Sequence, residues 1–197
     1  DGYNVVVPVM HVVNEDVVKE KDRNYSSVWK DEVQGTGHAR STIDSAQAWS
    51  AKSRGYSGKF TNEDEWAELN MGDDGAYVRG VIVQGRRDSN QKVSKFDVLV
   101  DNVLIEEGLE YEYERNVKQE FYFAKVIHGK KVKFRTRECY NHCSMRMDVL
   151  ISETTDDNKM KAECGIHGWD TCEINVLRTV NSVNDAEGMW CFEIHAR

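Results

Sequence analysis

Apolar residues recur at every second position through much of this chain, and that period constrains its fold more than any other feature. Lys131-Val132-Lys133-Phe134-Arg135 alternates basic and apolar side chains. Met145, Met147, Val149 and Ile151 alternate with Ser144, Arg146 and Asp148, and Leu150 breaks the pattern. Phe96, Val98 and Val100 alternate with Lys95, Asp97 and Asp101; Ala67, Leu69 and Met71 with Trp66, Glu68 and Asn70; Tyr111 and Tyr113 with Glu112 and Glu114. Successive side chains of a strand point to opposite faces, so each run predicts a strand with one dry and one wet face. Tyr77 to Gln84 is more continuously apolar, which predicts cover on both faces. Val5 to Val13 is β-branched, with Pro8 marking an edge or strand end.

Turn signals separate the runs: Gly35-Thr36-Gly37, Gly55-Tyr56-Ser57-Gly58, Gly72-Asp73-Asp74-Gly75, Asp88-Ser89-Asn90 and His128-Gly129-Lys130. Short strands at this spacing predict an all-β sandwich or barrel. Glu15 to Lys21 is the single stretch with a helical pattern, and no internal repeat is evident. At 197 residues the chain suits one main domain with an appendage. Thr154-Thr155-Asp156-Asp157-Asn158 reads as a polar connector, with strand-like runs beyond it at Cys172 to Val180 and Met189 to His195.

Charge narrows the function classes. Lys and Arg total 26 against 34 Asp and Glu, a formal charge of −8. Broad binding to nucleic acid or an anionic membrane needs a basic face, so neither is expected as a partner. No apolar run approaches the roughly 20 residues of a membrane span. The start does not read as a signal peptide, so the chain as given is expected to be cytosolic or already processed.

The five cysteines, Cys139, Cys143, Cys164, Cys172 and Cys191, all lie in the last third. Their clustering fits disulfides in a secreted protein. Two further readings are a zinc site drawn from Cys139, His142, Cys143, Cys164, His167 and Cys172, whose spacing is uncommon for zinc, and unpaired buried thiols. Connectivity is not readable, and one cysteine is left over for burial or for a bridge to another chain. Asn24-Tyr25-Ser26 is an N-glycosylation acceptor, meaningful in a secreted chain.

The middle of the chain resembles the discoidin, or coagulation factor V/VIII type C, family, with its galactose-binding-like fold. Tyr25-Ser26-Ser27-Val28-Trp29, His38-Ala39-Arg40-Ser41, Ile43-Asp44-Ser45 and Ala48-Trp49-Ser50 are similar to the family's opening third. Glu65 to Gly72, Gly80 to Arg86, Val93 to Val100 and His142 to Asp148 are similar, in order, to later strands. The resemblance covers residues 10–152 and leaves 153–197 as a cysteine-containing, β-rich extension. It implies a jelly-roll β-sandwich whose loops gather at one end and carry ligand binding. The sequence departs from the family in having no cysteine before Cys139 to tie the ends together, and in its Glu-rich Tyr111–Tyr122 region. Cys139 and Cys143 occupy positions where the family has apolar residues or Trp.

The resemblance places Trp29 on an end loop, where an exposed ring can stack on a sugar or fill a partner's pocket; the plainer role is a lid on the core. Tyr25 and Trp29 match the pair that lines a C-terminal-arginine pocket in neuropilin-like members. Arg86-Arg87-Asp88 stands where that pocket has hydroxyl-bearing residues, which argues against the same use. Arg86 and Arg87 offer planar forks of donors, and Asp88 accepts from hydroxyls; the alternative is a surface ion pair. Arg54 and Tyr56 extend the same candidate surface. Trp49, Trp66, Arg40, Arg146 and His142 read as structural, Arg146 paired to a carboxylate. Acidic turns at Asp73-Asp74 and Glu63-Asp64 are weak candidates for calcium, since they lack the ligand alternation of a calcium loop; no other cofactor is expected. No nucleophile elbow, phosphate loop or zinc-protease motif is present, so a catalytic role is not expected. The reading is a secreted, non-catalytic module that binds glycans or glycoproteins, in an oligomer or larger assembly. The alternative is a structural subunit that docks to other proteins and takes no small ligand.

Overall fold

The structure, a computed structural model, describes residues 17–52, 56–113 and 115–152, together with the backbone of three short strands further on. The chain divides into two units. The larger, Val12–Thr155, is a sandwich of two antiparallel sheets. Its strands are β1 (Arg23–Tyr25), β2 (Trp49–Ser50), β3 (Lys59–Thr61), β4 (Trp66–Asn70), β5 (Ala76–Gln84), β6 (Lys92–Val100), β7 (Val103–Glu110), β8 (Lys118–Gly129), β9 (Lys131–Tyr140) and β10 (Ser144–Ser152). One sheet runs β1-β4-β9-β6-β7, with β3 also on β9; the other runs β2-β10-β5-β8. The chain passes back and forth between the sheets, as in a jelly roll. In the smaller unit, β11 (Met160–Ala162), β12 (Cys172–Asn175) and β13 (Glu193–His195) form an antiparallel sheet.

The period-two runs supply the core. Leu69, Val78, Val81, Val83, Phe96, Val98, Val132, Phe134, Met145, Met147 and Val149 fill the space between the sheets. Phe96 packs edge-on to Phe121 and tilted against Phe134. Tyr77–Gln84 lies inside its sheet, between β10 and β8, and its second half is buried throughout.

Several expectations are corrected. The face of β10 expected to be wet is buried: Ser144, Arg146 and Asp148 are all 2% exposed or less. The connection between β1 and β2 folds over it, with Met147 N–H donating to Ser41 O at 2.8 Å. Leu150 broke the alternation because it packs with Ile43 and Ile82 in a second small core under that cover. Asp97, also expected to be wet, is roofed by Arg135 and Arg137 and accepts hydrogen bonds from both. Tyr111 and Tyr113 are not on a strand, since β7 stops at Glu110. Tyr111 is buried and braces a turn: its hydroxyl donates to Val117 O at 2.6 Å and accepts from Gly85 N–H at 2.8 Å. Where a helix was expected, the described part of the stretch makes a single 3-10 turn at Glu20–Asp22. Trp66 lies half-buried, with the Lys133 ammonium 4.9 Å over its ring. Val5 to Val13 lies outside the described residues.

Among the described residues no carboxylate lies against the Arg146 guanidinium. It donates to the carbonyls of Ser45 and Gly85 and to the Asn116 amide oxygen, so it ties three connections together. Burial pushes its guanidinium below the ordinary value, against a weaker pull from Asp44. The buried arginine with a carboxylate partner is Arg23, which meets Asp148 at 2.8 Å, both being 2% exposed or less. Arg23 also donates to Val18 O, Ser41 Oγ and Met147 O.

Cys139 and Cys143 form a disulfide. Both sulfurs sit in the core, which removes them from any zinc site. Among the described residues no cluster of three His, Cys, Asp or Glu side chains is placed to hold a metal. Cys164 and Cys191 lie outside the described residues, and Cys172 is described only as the backbone that opens β12.

Candidate functional site

The register of the strands sends the longer connections to one end of the sandwich. Residues 26–48 and 85–91, the described parts of the connections after β2 and β7, and the short turn 141–143 lie at that end, and the turns at 71–75, 101–102 and 129–130 close the other. At the loop end Trp29, His38, Ser50, Arg86, Gln91 and His142 line a half-open depression of about 170 Å3.

Neighbouring groups hold the lining residues in place. Trp29 opens a short turn in which Lys30 (φ 61°) and Asp31 (φ 53°) both adopt the left-handed backbone, a costly conformation for residues other than glycine. Asp31 N–H closes the turn on Val28 O at 3.0 Å, and Lys52 pairs with the Asp31 carboxylate at 2.7 Å. Just before the turn, Ser26 and Ser27 both donate to the buried Glu65 carboxylate. The result is a ring 37% exposed, set edge-on to the His142 imidazole with centroids 5.3 Å apart.

His142 Nε2 contacts Ala51 O at 2.8 Å. A carbonyl only accepts, so Nε2 carries the proton and Nδ1 is the acceptor of the neutral ring. Burial lowers the pKa of His142; the Ala51 hydrogen bond opposes this, and Arg86 and His38 add to it. His38 Nδ1 donates to Glu32 at 3.0 Å, and the same carboxylate accepts from the His38 backbone N–H. Arg86 is anchored on its own loop. Its Nε and Nη2 meet the two Asp88 oxygens at 2.6 and 3.1 Å, and Nη1 donates to Gln91 Oε1 at 2.9 Å. The Arg86 guanidinium holds the Asp88 carboxyl below its usual range. Ser50 Oγ lies 2.9 Å from Ser144 Oγ.

Of the residues singled out in the sequence, Trp29 and Arg86 meet at this depression, and Asp88 fixes Arg86 from behind. Arg87 is exposed and does not line it. Tyr56, 61% exposed, packs edge-on to Phe60 and does not line it. Tyr25 is turned inward: its ring stacks on Trp49 at 5.8 Å, and its hydroxyl lies 2.8 Å from Ser41 Oγ. Tyr25 and Trp29 therefore do not form one pocket as the neuropilin-like pattern has them. Arg54 lies outside the described residues. Asn24 is exposed on β1. Trp49 is fully buried, with its indole N–H on Ser27 O, and the half-buried Arg40 donates to Gly35 O. Glu63, from one acidic turn, is drawn to Arg137 at 3.2 Å. His38, Ser50 and Gln91 carry no mark of a lining residue in the sequence, and His142, whose sequence context reads as structural, also lines the depression. The long-range pairing of Ser50 with Ser144, which sets Ser50 beside His142, has no signature in local sequence.

The lining set is one aromatic face, two imidazoles, an anchored guanidinium, an amide and a hydroxyl. It supplies donors and acceptors around a flat apolar ring, and none of its members is a carboxylate or a thiol. No family model matches the chain, and no curated protein matches it. Solved structures do. Discoidin II of Dictyostelium discoideum is 16% identical with a TM-score of 0.47, over 67% of this chain and 55% of that one, so the match spans about half of discoidin II. The family 32 CBM from C. perfringens NanJ, solved in complex with galactose, is 14% identical with a TM-score of 0.48, over 67% of this chain and 96% of that one. Allantoicase is 14% identical with a TM-score of 0.39, over 71% of this chain and 45% of that one.

Proposed function

We propose that residues 10–152 form a non-catalytic module that binds glycans through the depression at the loop end. The observation that carries this reading is the meeting of Trp29 with Arg86, His38 and His142 on one concave surface. A pyranose presents an apolar C–H face and a rim of hydroxyls that both donate and accept. Trp29 suits the face. Arg86 and Gln91 suit the acceptor side of the hydroxyls, and His142 Nδ1 the donor side. The volume falls below the roughly 300 Å3 at which pockets for drug-sized ligands begin, which fits one ring-sized terminal group. A hydrolase reading lacks support: Ser50 Oγ pairs with Ser144 rather than with an imidazole, and His142 spends its N–H on Ala51.

The core disulfide supports a secreted, oxidising setting. In that setting Asn24, exposed within its acceptor triplet, is a glycosylation site. Single-site sugar affinity is weak, so clustering in an oligomer or assembly follows as the means of useful avidity. The −8 charge leaves nucleic acid and anionic lipid as poor partners.

A second reading, docking to another protein, is favoured by a separate observation. Val33, Tyr56, Tyr113 and Val117 are exposed apolar residues at the same end but outside the depression. A glycan array with galactose-terminated members, run on the wild type, Trp29→Ala and Arg86→Met, separates the two. The glycan reading expects selective binding that both variants lose. A flat array, or binding that both variants retain, hands the loop end to the docking reading.

A further inference from the structure

The turn from β9 to β10 is closed on itself by the Cys139–Cys143 bridge, which encloses Tyr140, Asn141 and His142. His142 N–H donates to Tyr140 O at 2.7 Å within the ring, and Asn141 sits in the left-handed region (φ 59°). This small ring is the meeting point of the loops around the depression. Asn141 N–H donates to Gly58 O and its side-chain oxygen accepts from Gly58 N–H, which fixes the backbone just before β3. The Asn141 amide donates to Asn90 O at 2.8 Å, which fixes the loop that carries Arg86 and Gln91. Ala51 N–H donates to Cys143 O, and Ala51 O accepts from His142. A bridge restrains the unfolded chain less the shorter the loop it closes, so a ring this small does little for global stability by that route. Its leverage is local.

We infer that Cys139, Cys143 and Asn141 are positioning residues for the depression: the bridge holds His142 against Ala51 and Trp29, and Asn141 holds the Arg86–Gln91 loop to the same ring. None of the three lines the depression. The inference rests on reading the depression as the ligand site, but its geometry is testable without a ligand.

The test uses the full chain carrying Cys139→Ser with Cys143→Ser, and separately Asn141→Gly, which keeps the left-handed backbone and removes only the amide. The first readout is the His142 ring titration by NMR. In the wild type, burial holds the pKa of the ring below its ordinary value, Arg86 and His38 lower it further, and the Ala51 O bond and Glu65 oppose this; the ring itself packs on Trp29. In the double variant it is expected to rise toward the ordinary value of about 6.5. The second readout is amide exchange. Asn141→Gly is expected to speed exchange over residues 85–91 by about tenfold or more, with β5 and β10 unchanged. An unmoved His142 titration in a folded double variant, or unchanged exchange in Asn141→Gly, overturns the inference. If the double variant does not fold, Asn141→Gly alone decides. The glycan the wild type selects on the array is expected to bind both variants about tenfold or more weakly. A wild type that selects no glycan defeats the ligand reading and leaves the titration and exchange to judge the clamp.

Discussion

The two ends of the sandwich are built on different principles. At the turn end the connections are short and backbone conformation decides them. Asp101 and Asn102 take positive φ between β6 and β7, and the Asp101 carboxylate accepts from the Lys130 and Lys131 N–H groups of the neighbouring turn. Met71 N–H closes on Lys130 O. At the loop end most connections are long, and buried polar side chains from the strands hold them: Arg23 under Ser41, Arg146 under Ser45, Gly85 and Asn116, and Gln84 against Asp44. One end is settled by local turn chemistry. The other depends on groups whose unpaired burial costs several times what their pairing gains, so an error there is expensive but the loops stay where they are put.

The largest expected effect comes from removing a support at the loop end. Asp148→Ala leaves Arg23 charged and buried without its carboxylate, which costs about 3–5 kcal/mol. The midpoint of urea unfolding measures it. An apolar pair, Arg23→Met with Asp148→Leu, is expected to lose less than Asp148→Ala alone, because no orphan charge remains. If the double variant is the worse of the two, the pair does more than satisfy its own burial. The matching blow at the turn end is Gly75→Ala. Gly75 holds φ +67°, and a Cβ there meets Gly129 O at 2.6 Å. A loss of about 2 kcal/mol is expected, with glycan binding unchanged. A binding loss in Gly75→Ala would mean the two ends are coupled through the sheets.

The same contrast explains what the chain reveals on reading. Alternating runs place β4, β6, β9 and β10 because each strand's dry face is a local pattern. The turn end is legible too, since Gly72-Asp73-Asp74-Gly75 and His128-Gly129-Lys130 carry their own conformational signal. The depression is only half legible. Trp29 and Arg86 stand out by residue type on expected loops. Ser50 enters it through its pairing with Ser144, made far along the chain, and Ser50 N–H in turn holds His38 O. The partners of Arg146 are not legible because they include backbone carbonyls, which every residue has and no sequence displays. Arg23 does not stand out in the sequence because its carboxylate lies 125 positions away.

Smaller effects fall on the site itself. Trp29→Ala removes a ring 37% exposed, so stability is expected to hold while glycan affinity falls about tenfold, or about 1.4 kcal/mol. Acid is expected to act in the same place. His142 has its pKa lowered, so the fold favours the neutral ring. That contribution is complete above the ordinary histidine value of about 6.5 and is lost as pH falls through the lower folded value. Protonation also converts Nδ1 from acceptor to donor, so binding is expected to weaken as pH falls through the His142 midpoint followed by NMR. Flat binding through that midpoint would take His142 out of ligand contact.

The smallest effect sharpens the comparison most. Lys52 and Asp31 meet at 2.7 Å across two loops of the depression, and on contact distance alone they look as good a tie as Arg23 with Asp148 at 2.8 Å. Their side chains are 58% and 71% exposed, so water and salt screen the pair and both side chains lose rotamer freedom to hold it. Lys52→Ala is therefore expected to change stability by about 0.5 kcal/mol or less. The Trp29 turn keeps its Asp31–Val28 backbone bond, and its base keeps Ser26 and Ser27 on Glu65. Glycan affinity in Lys52→Ala should then stay within about twofold of the wild type. A larger loss would show that an exposed contact orients Trp29, and that the loop end is held from its surface as well as from the buried groups beneath it.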